Sequence, residues 1–167
     1  IIPWVAEVGI SYHLAVDGFS TILVMLNSIV FFTGVLTMWD LETRVKEFFA
    51  FMLLLVIGVY GVFLSQDLFF FFLFYEVAVV PMYPLVLIWG SGNREYAAMK
   101  LMLFLLAGSA LLFPALLSIY HASGLDTFNM ILLAQKAFDP DFQIFVYPFV
   151  FLGFGVLAGL FPFHGWS

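Results

Sequence analysis

One acidic residue, Glu76, lies in the middle of a long apolar stretch. The run Phe69–Phe74 precedes it and Val77–Val80 follows it. If the stretch is a membrane helix that starts near residue 68, Glu76 lies about 13 Å from that start, close to the bilayer midplane. A charged side chain at that depth costs roughly 2.5 to 3.5 kcal/mol on insertion scales, and intramembrane acids commonly serve a function. Two interpretations follow: Glu76 carries a proton or lines an ion pathway, or it is a protonated acid hydrogen-bonded to a neighbouring helix.

Two prolines, Pro81 and Pro84, follow Glu76 in the same stretch. Because proline has no backbone N–H, Pro81 would leave the carbonyl of Val77 without its helical partner, directly beside Glu76. Freed backbone at this point would hydrate or bend the helix next to the carboxyl group. The alternative is an ordinary kink of the kind that membrane helices tolerate.

A cation, Lys100, lies just inside the next apolar stretch. If the two stretches form antiparallel helices joined around Gly92, Lys100 lies at the level of Pro84, about 12 Å in depth from Glu76. That separation is too large for a direct ion pair but within reach of a chain of water molecules. Lys100 is therefore a candidate cation partner or relay. The alternative is that its amine extends to the membrane interface.

A histidine, His164, follows Pro162 at the end of the last apolar stretch, in a run with glycines at 153, 155, 159 and 165. A regular helix is not expected to continue through such a run. Broken membrane helices form ion sites because their freed carbonyls need partners. Since histidine titrates near neutral pH, His164 is a candidate proton relay at the break. The alternative places it beside Trp166 in an interfacial aromatic belt.

Other polar residues have simpler structural interpretations. Asp17 precedes the first apolar stretch and Asp67 precedes the third, and both are predicted helix N-caps. The small residues Gly108-Ser109-Ala110 predict a close helix contact. The sequence has no GxSxG, P-loop or HExxH motif, and its three histidines are far apart, so no soluble catalytic pattern or metal site is indicated.

The composition places these residues in a membrane protein. Of 167 residues, 65% are hydrophobic and 10% are charged, against roughly 45–50% and 25% in soluble domains. The mean hydropathy of +1.14 excludes disorder and an ordinary soluble globule. A net charge of -6 with five Lys and Arg residues excludes a nucleic-acid partner. The absence of cysteine excludes disulfides and thiolate metal sites.

The apolar stretches predict an all-α transmembrane bundle in a single domain, residues 1–167. A membrane helix needs about 20 mostly apolar residues, and five stretches meet that length, at about 18–39, 47–64, 68–89, 96–120 and 143–163. The connection after the fourth stretch is long enough for its own element. Residues 127–138 there predict a short amphipathic helix at the interface, with Asp126 as its N-cap and Asp139-Pro140 as its end.

The basic residues predict the orientation. Arg44 and Lys46 lie in the loop 40–46, and Arg94 lies in the loop 90–95. These loops lie on one side of the membrane, which the positive-inside rule identifies as the cytoplasmic side or its organellar equivalent. The sequence begins at Ile1 without an initiator methionine or a basic signal region, and it ends just after Pro-Phe-His-Gly-Trp. We therefore expect it to be a fragment of a longer subunit.

Four segments of the sequence resemble one family closely: VDGFS, FLFYEVAVVPMYPLVLIWG, REYAAMKLMLFLLAGSALLF and GLFPFHGWS. The family is that of the antiporter-like, proton-translocating subunits of respiratory complex I, in the branch called NADH-quinone oxidoreductase subunit M or chain 4. The resemblance covers essentially the whole chain. The E-x4-P-M-Y pattern with the following WG is fairly specific to the chain 4 branch, and PFHGW is specific to the superfamily.

The resemblance implies a fold of fourteen membrane helices built from two inverted five-helix repeats. This chain would supply the third to seventh helices, which nearly form one repeat. The family's essential glutamate on the fifth helix falls on Glu76. In the family, that glutamate is thought to form an ion pair with a lysine on the seventh helix, and changes in the pair couple quinone reduction to proton movement.

The same resemblance implies a setting for the chain. It would lie in the inner or cytoplasmic membrane, within the lipid bilayer and beside neighbouring antiporter-like subunits of the membrane arm. The family's orientation places the loop after its third helix in the cytoplasm, as the basic residues also indicate. The chain would bind no cofactor, whereas FMN, iron–sulfur clusters and quinone would belong to other subunits of the complex.

The sequence departs from the family pattern at Leu157, where a lysine is common, and at Gly159, where a proline is usual. The cation partner of Glu76 would then be Lys100 or a residue outside this chain. Three functions remain open at this point. The chain belongs to a proton-pumping subunit, to a cation/proton antiporter or membrane-bound hydrogenase, or to a subunit that has stopped pumping and acts as a scaffold.

Overall fold

The computed structural model of the chain describes residues 1–166, apart from the side chain of Ala6. Five helices in it are long and apolar enough to cross a membrane. The prediction of an all-α transmembrane bundle is therefore confirmed. The helices are α1 (Gly18–Thr37), α2 (Val45–Leu64), α3 (Leu68–Trp89), α4 (Arg94–Ser123) and α6 (Pro140–Leu157), with a short α5 (Met130–Ala134) between the last two.

The predicted N-caps of α1 and α3 are both confirmed. The Asp17 carboxylate accepts a hydrogen bond from the backbone N–H of Ser20 at 2.6 Å, and the Ser20 hydroxyl accepts one from the backbone N–H of Asp17 at 2.8 Å. The backbone N–H of Ser20, followed by the Ser20 hydroxyl, which also donates to the carboxylate at 2.9 Å, holds the pKa of Asp17 below its ordinary value. The Asp67 carboxylate accepts from the N–H groups of Phe69 and Phe70 at 3.0 and 3.2 Å.

Small residues bring the spanning helices into contact. A Cβ added at Gly58 of α2 would lie 2.5 Å from the backbone nitrogen of Ala78 on α3. A Cβ at Gly108 of α4 would lie 3.2 Å from the carbonyl oxygen of Gly153 on α6. Helix α3 also packs against α4, so α2, α3, α4 and α6 form the body of the bundle. In this chain α1 packs mainly on α2, and most of its large side chains are exposed.

The start of α3 is tied to two other parts of the chain. A two-stranded antiparallel hairpin, β1 (Ile2–Val5) and β2 (Ile10–Tyr12), precedes α1. The backbone N–H of Ser11 in β2 donates to the Asp67 carboxylate at 2.9 Å. From the other side, the N–H of Leu68 donates to the carbonyl of Phe128 at 2.8 Å. Asp67 is thereby fully buried.

The opposite end of α3 is also tied. The indole Nε1 of Trp89 donates to the carbonyl of Thr43 at 2.9 Å, in the connection between α1 and α2. The ring of Phe48 meets the Trp89 ring edge-on, with centroids 5.3 Å apart. Hydrogen bonds therefore attach both ends of α3 to other parts of the chain.

The structure corrects two predicted segments. Helix α6 runs from Pro140 to Leu157 instead of 143–163, because Asp139-Pro140 starts it and Gly159, at φ +67°, lies beyond its end. The predicted interfacial helix at 127–138 is five residues long, Met130–Ala134. Its N-cap is Asn129, whose side chain accepts from the N–H of Ile131 at 3.0 Å, and the predicted cap Asp126 adopts a left-handed conformation before it.

Candidate functional site

The Glu76 side chain lies in a groove between α3 and α4. The groove has a volume of about 390 Å³ and opens widely at the surface of this bundle. Apart from Glu76, the groove is lined by the polar Ser109 and by four apolar residues, Phe72, Leu106, Ala110 and Phe113. Glu76 thus places a carboxyl group, midway along a spanning helix, in a mostly apolar groove. No Lys or Arg among residues 1–166 lines this groove.

Glu76 and the preceding residue, Tyr75, each carry a buried polar atom without a hydrogen-bond partner among residues 1–166. The two atoms are Oε1 of Glu76 and the hydroxyl of Tyr75. The Tyr75 side chain approaches Ser109 on α4. Since more than nine in ten buried polar groups in proteins are paired, each of these two atoms requires an explanation. Both are available for a new hydrogen bond.

Tyr75 lines a second cavity, on the side of α3 that faces the bundle interior. This cavity has a volume of about 270 Å³ and an almost wholly apolar wall contributed by α2, α3 and α4. Leu157 at the end of α6 and Trp166 complete the wall. Leu157 therefore packs toward Tyr75 and not into the groove of Glu76. The position at which the family pattern has a lysine is filled here by an apolar side chain in an apolar cavity.

Lys100 does not pair with Glu76 in the described part of the chain. Its Nζ lies 5.9 Å from the centroid of the Tyr96 ring, one turn earlier on α4. It also lies against the turn that follows α6, since a Cβ added at Gly165 would be 3.4 Å from it. The structure therefore brings Lys100 together with the 163–166 segment and not with Glu76.

His164 lies in a short 3-10 turn, Phe163–Trp166, after the end of α6. The side chain is exposed, and its ring stacks on Phe161 with the centroids 5.8 Å apart. The Trp166 indole donates to the carbonyl of Val156 at 2.8 Å, and this bond holds the turn against the end of α6. His164 and Lys100 thus lie at the same end of the bundle, on neighbouring elements.

The two prolines after Glu76 do not interrupt α3, which is continuous from Leu68 to Trp89. Pro81 is fully buried. Sequence reasoning did not single out Tyr75, and it interpreted Ser109 as part of a helix contact. A hydroxyl directly beside the acid and a hydroxyl in the small-residue patch were the available signals, but only the helix rotations place both next to Glu76.

Comparisons with known proteins match this architecture. A family model described as NADH:quinone oxidoreductase/Mrp antiporter, transmembrane, matches residues 65–167. The chain is 35% identical over 163 residues to NAD(P)H-quinone oxidoreductase chain 4 of Gloeobacter violaceus, covering 98% of this chain and 31% of that protein. It is 37% identical over 164 residues to a chain 4 protein of a Picosynechococcus species, covering 98% and 30%.

A solved structure agrees with the relatives. In respiratory complex I from Thermus thermophilus with bound NADH, one chain superposes with a TM-score of 0.88 at 27% identity, covering 99% of this chain and 34% of that one. The chain spans about a third of the length of the proteins it matches. The resemblance to the chain 4 branch is confirmed. From its motifs, its five spanning helices and these matches, the chain belongs to the NADH:quinone oxidoreductase/Mrp antiporter family of membrane subunits.

Proposed function

We propose that this chain is part of a proton-translocating membrane-arm subunit of a complex I-type NAD(P)H-quinone oxidoreductase, with Glu76 as its proton carrier. One observation carries the proposal: a carboxyl group in the middle of a continuous spanning helix has a buried oxygen with no hydrogen-bond partner among the described residues. Such a group adds nothing to stability, because an unpaired buried polar atom costs free energy. Proton exchange gives it a role.

The physical basis of transport is the response of the carboxyl group to nearby charge. An approaching cation favours the ionised carboxylate, and its departure favours the protonated acid. The groove beside Glu76 is open at the surface of this bundle, so a second helix can bring such a charge to it. Neither Leu157 nor Lys100 lies there. We propose that the cation comes from another part of the subunit or from a neighbouring membrane-arm subunit.

Protons would reach Glu76 from the end of the bundle that carries Lys100 and His164. The positive-inside rule places that end, with loops 40–46 and 90–95, on the cytoplasmic side. Lys100 and the turn containing His164 lie together there and are candidate relays at the entrance. The chain would lie in the inner or cytoplasmic membrane. FMN, iron–sulfur clusters and quinone would bind to other subunits of the complex, which would perform the redox chemistry.

The test is Glu76→Gln in the full-length subunit, assembled in its complex and placed in lipid vesicles. Proton pumping driven by quinone reduction should fall by at least about tenfold, because the amide cannot carry a proton. The matched control is Glu47→Gln, which removes a surface glutamate paired with Arg44 and should leave pumping at the parent rate. Normal pumping by assembled Glu76→Gln would refute the proposal.

A scaffold is the second candidate function, and one observation favours it. Position 157, where the family commonly has lysine, is part of an apolar cavity wall. If the subunit only supports its neighbours, Glu76→Gln will leave both assembly and the number of protons pumped per electron unchanged.

An antiporter is the third candidate, because the matching family includes Mrp antiporters. Cation transport by the parent complex without any electron donor or quinone would identify it, whereas pumping that requires quinone reduction would exclude it. A membrane-bound hydrogenase is distinguished by its electron donor in the same vesicle assay.

A further inference from the structure

Two hydroxyl groups lie at the contact between α3 and α4, next to Glu76. Ser109 of α4 is buried, with 7% of its surface exposed, and it lines the Glu76 groove. Tyr75 precedes Glu76 on α3, approaches Ser109, and has a buried hydroxyl without a partner in the described chain. The remaining lining of the groove is apolar. Tyr75 and Ser109 are therefore the side-chain donors that this bundle places near Glu76.

Neither hydroxyl is committed to an essential bond. Ser109 donates to the carbonyl of Leu105, four residues earlier on the same helix, at 3.0 Å. A carbonyl in the interior of a helix already accepts the backbone N–H of the residue four positions later, so this bond is not required to satisfy Leu105. Serine in that arrangement is neutral or slightly destabilising for a helix, and alanine would serve the packing equally well. Both hydrogens are free to turn to another acceptor.

An ionised carboxylate in apolar surroundings needs donors. Burial of an unpaired charge costs many kcal/mol, and hydrogen bonds to the charged form offset that cost. A protonated carboxyl group has a much smaller requirement. The number of donors in contact with Glu76 therefore has to change as its proton leaves and returns.

We propose that Tyr75 and Ser109 are positioning residues that donate hydrogen bonds to the Glu76 carboxylate whenever it is ionised. On deprotonation, Ser109 exchanges the Leu105 carbonyl for a Glu76 oxygen and the free Tyr75 hydroxyl turns to the same group. When Glu76 is protonated again, both return to the arrangement described above. No covalent bond of Tyr75 or Ser109 changes, and the proton that moves is that of Glu76. The inference rests on the proposed function of Glu76.

The test uses Ser109→Ala and Tyr75→Phe in the full-length subunit within its assembled complex. Each variant should pump protons about tenfold more slowly, as expected for the loss of one hydrogen bond to a buried group. The infrared carbonyl band of protonated Glu76, identified as the band that Glu76→Gln lacks, should increase in both variants at a given pH. A purely structural role would leave that band unchanged.

Two control variants remove the same kinds of hydroxyl group at other positions on α3 and α4. Ser118→Ala removes a hydroxyl that also donates to a carbonyl four residues earlier on α4, Pro114, at 2.8 Å. Tyr83→Phe removes a tyrosine hydroxyl two turns further along α3. Both should keep the parent rate and the parent band, because Ser118 lines a different pocket, between α4 and α6, and Tyr83 lies about two turns from Glu76 along α3.

The outcomes distinguish this inference from the proposed function. If Glu76→Gln abolishes pumping while Ser109→Ala and Tyr75→Phe keep the parent rate and the parent band, the positioning role is wrong and Glu76 remains the carrier. If Glu76→Gln pumps normally, the proposed function itself is wrong. Equal slowing in Ser118→Ala and Ser109→Ala would also overturn the positioning role, since it would show a general effect on α4.

Discussion

Two carboxylates lie nine positions apart on the same helix, and their surroundings are opposite. Asp67 at the start of α3 is fully buried, yet its oxygens accept hydrogen bonds from Phe69, Phe70 and Ser11. Glu76 is less buried, and one of its oxygens has no partner in the described chain. Burial alone therefore does not identify a functional acid. The hydrogen-bond donors distinguish the two acids: Asp67 has them and contributes to the stability of the fold, whereas the unpartnered oxygen of Glu76 fits the function proposed for it.

The largest effect that tests this comparison is expected at Asp67. Asp67→Ala leaves three backbone N–H groups without their acceptor, and we expect the free energy of unfolding of the full-length subunit in detergent to fall by about 3 kcal/mol. Asp67→Asn keeps an acceptor oxygen and should lose less. Asp40→Ala, at an exposed position, is the control and should change stability by less than about 0.5 kcal/mol. A loss at Asp67 no larger than at Asp40 would show that the donors are satisfied by water instead.

For a substitution at Glu76, we expect the free energy of unfolding to change in the opposite direction. Glu76→Leu replaces an unpaired polar group by an apolar one of similar size in a mostly apolar groove. We expect the free energy of unfolding to rise by about 1 kcal/mol. The variant should not pump. Destabilisation of more than about 1 kcal/mol would mean that Glu76 makes a stabilising contact, and its classification as an unsatisfied acid would then be wrong.

A third carboxylate, Asp17, adds a solvent-exposed case to the comparison. It is satisfied like Asp67, but it is exposed. Because its pKa lies below the ordinary value of 3.8, it contributes stability above that pH and the contribution is lost as the pH falls through the lowered pKa. We expect stability measured against pH to fall slightly below about pH 4 in the parent and to fall less in Asp17→Asn. An identical acid profile in the two proteins would contradict this.

The sequence predicts the bundle well, because apolar stretches of membrane-spanning length and capping residues are local signals. The starts of α1 and α3 follow from Asp17 and Asp67 alone. The segment 127–138 does not follow, because the carbonyl of Phe128 accepts from Leu68, far away in the sequence. Asp139-Pro140 was predicted to end the 127–138 helix, whereas it starts α6, because proline is also favoured in the first turn of a helix.

The candidate site is predictable only in part. Glu76 is conspicuous because it interrupts an apolar run. The roles of its neighbours depend on rotation about two helix axes, which hydropathy does not specify. Rotation places Ser109 in the groove of Glu76 and Leu157 in the cavity on the other side of α3. Lys100 lies against Tyr96 and the Gly165 turn and does not line the Glu76 groove, although the two depths alone left a water-linked pair open.

The attachment of α3 at both ends bears on the function proposed for Glu76. One end is bonded to the hairpin and to Phe128, and the other is bonded to Thr43 through the Trp89 indole. Movement of α3 along its axis would break these hydrogen bonds. Under the proposed function, a change of charge beside Glu76 would act on its carboxyl group without such movement.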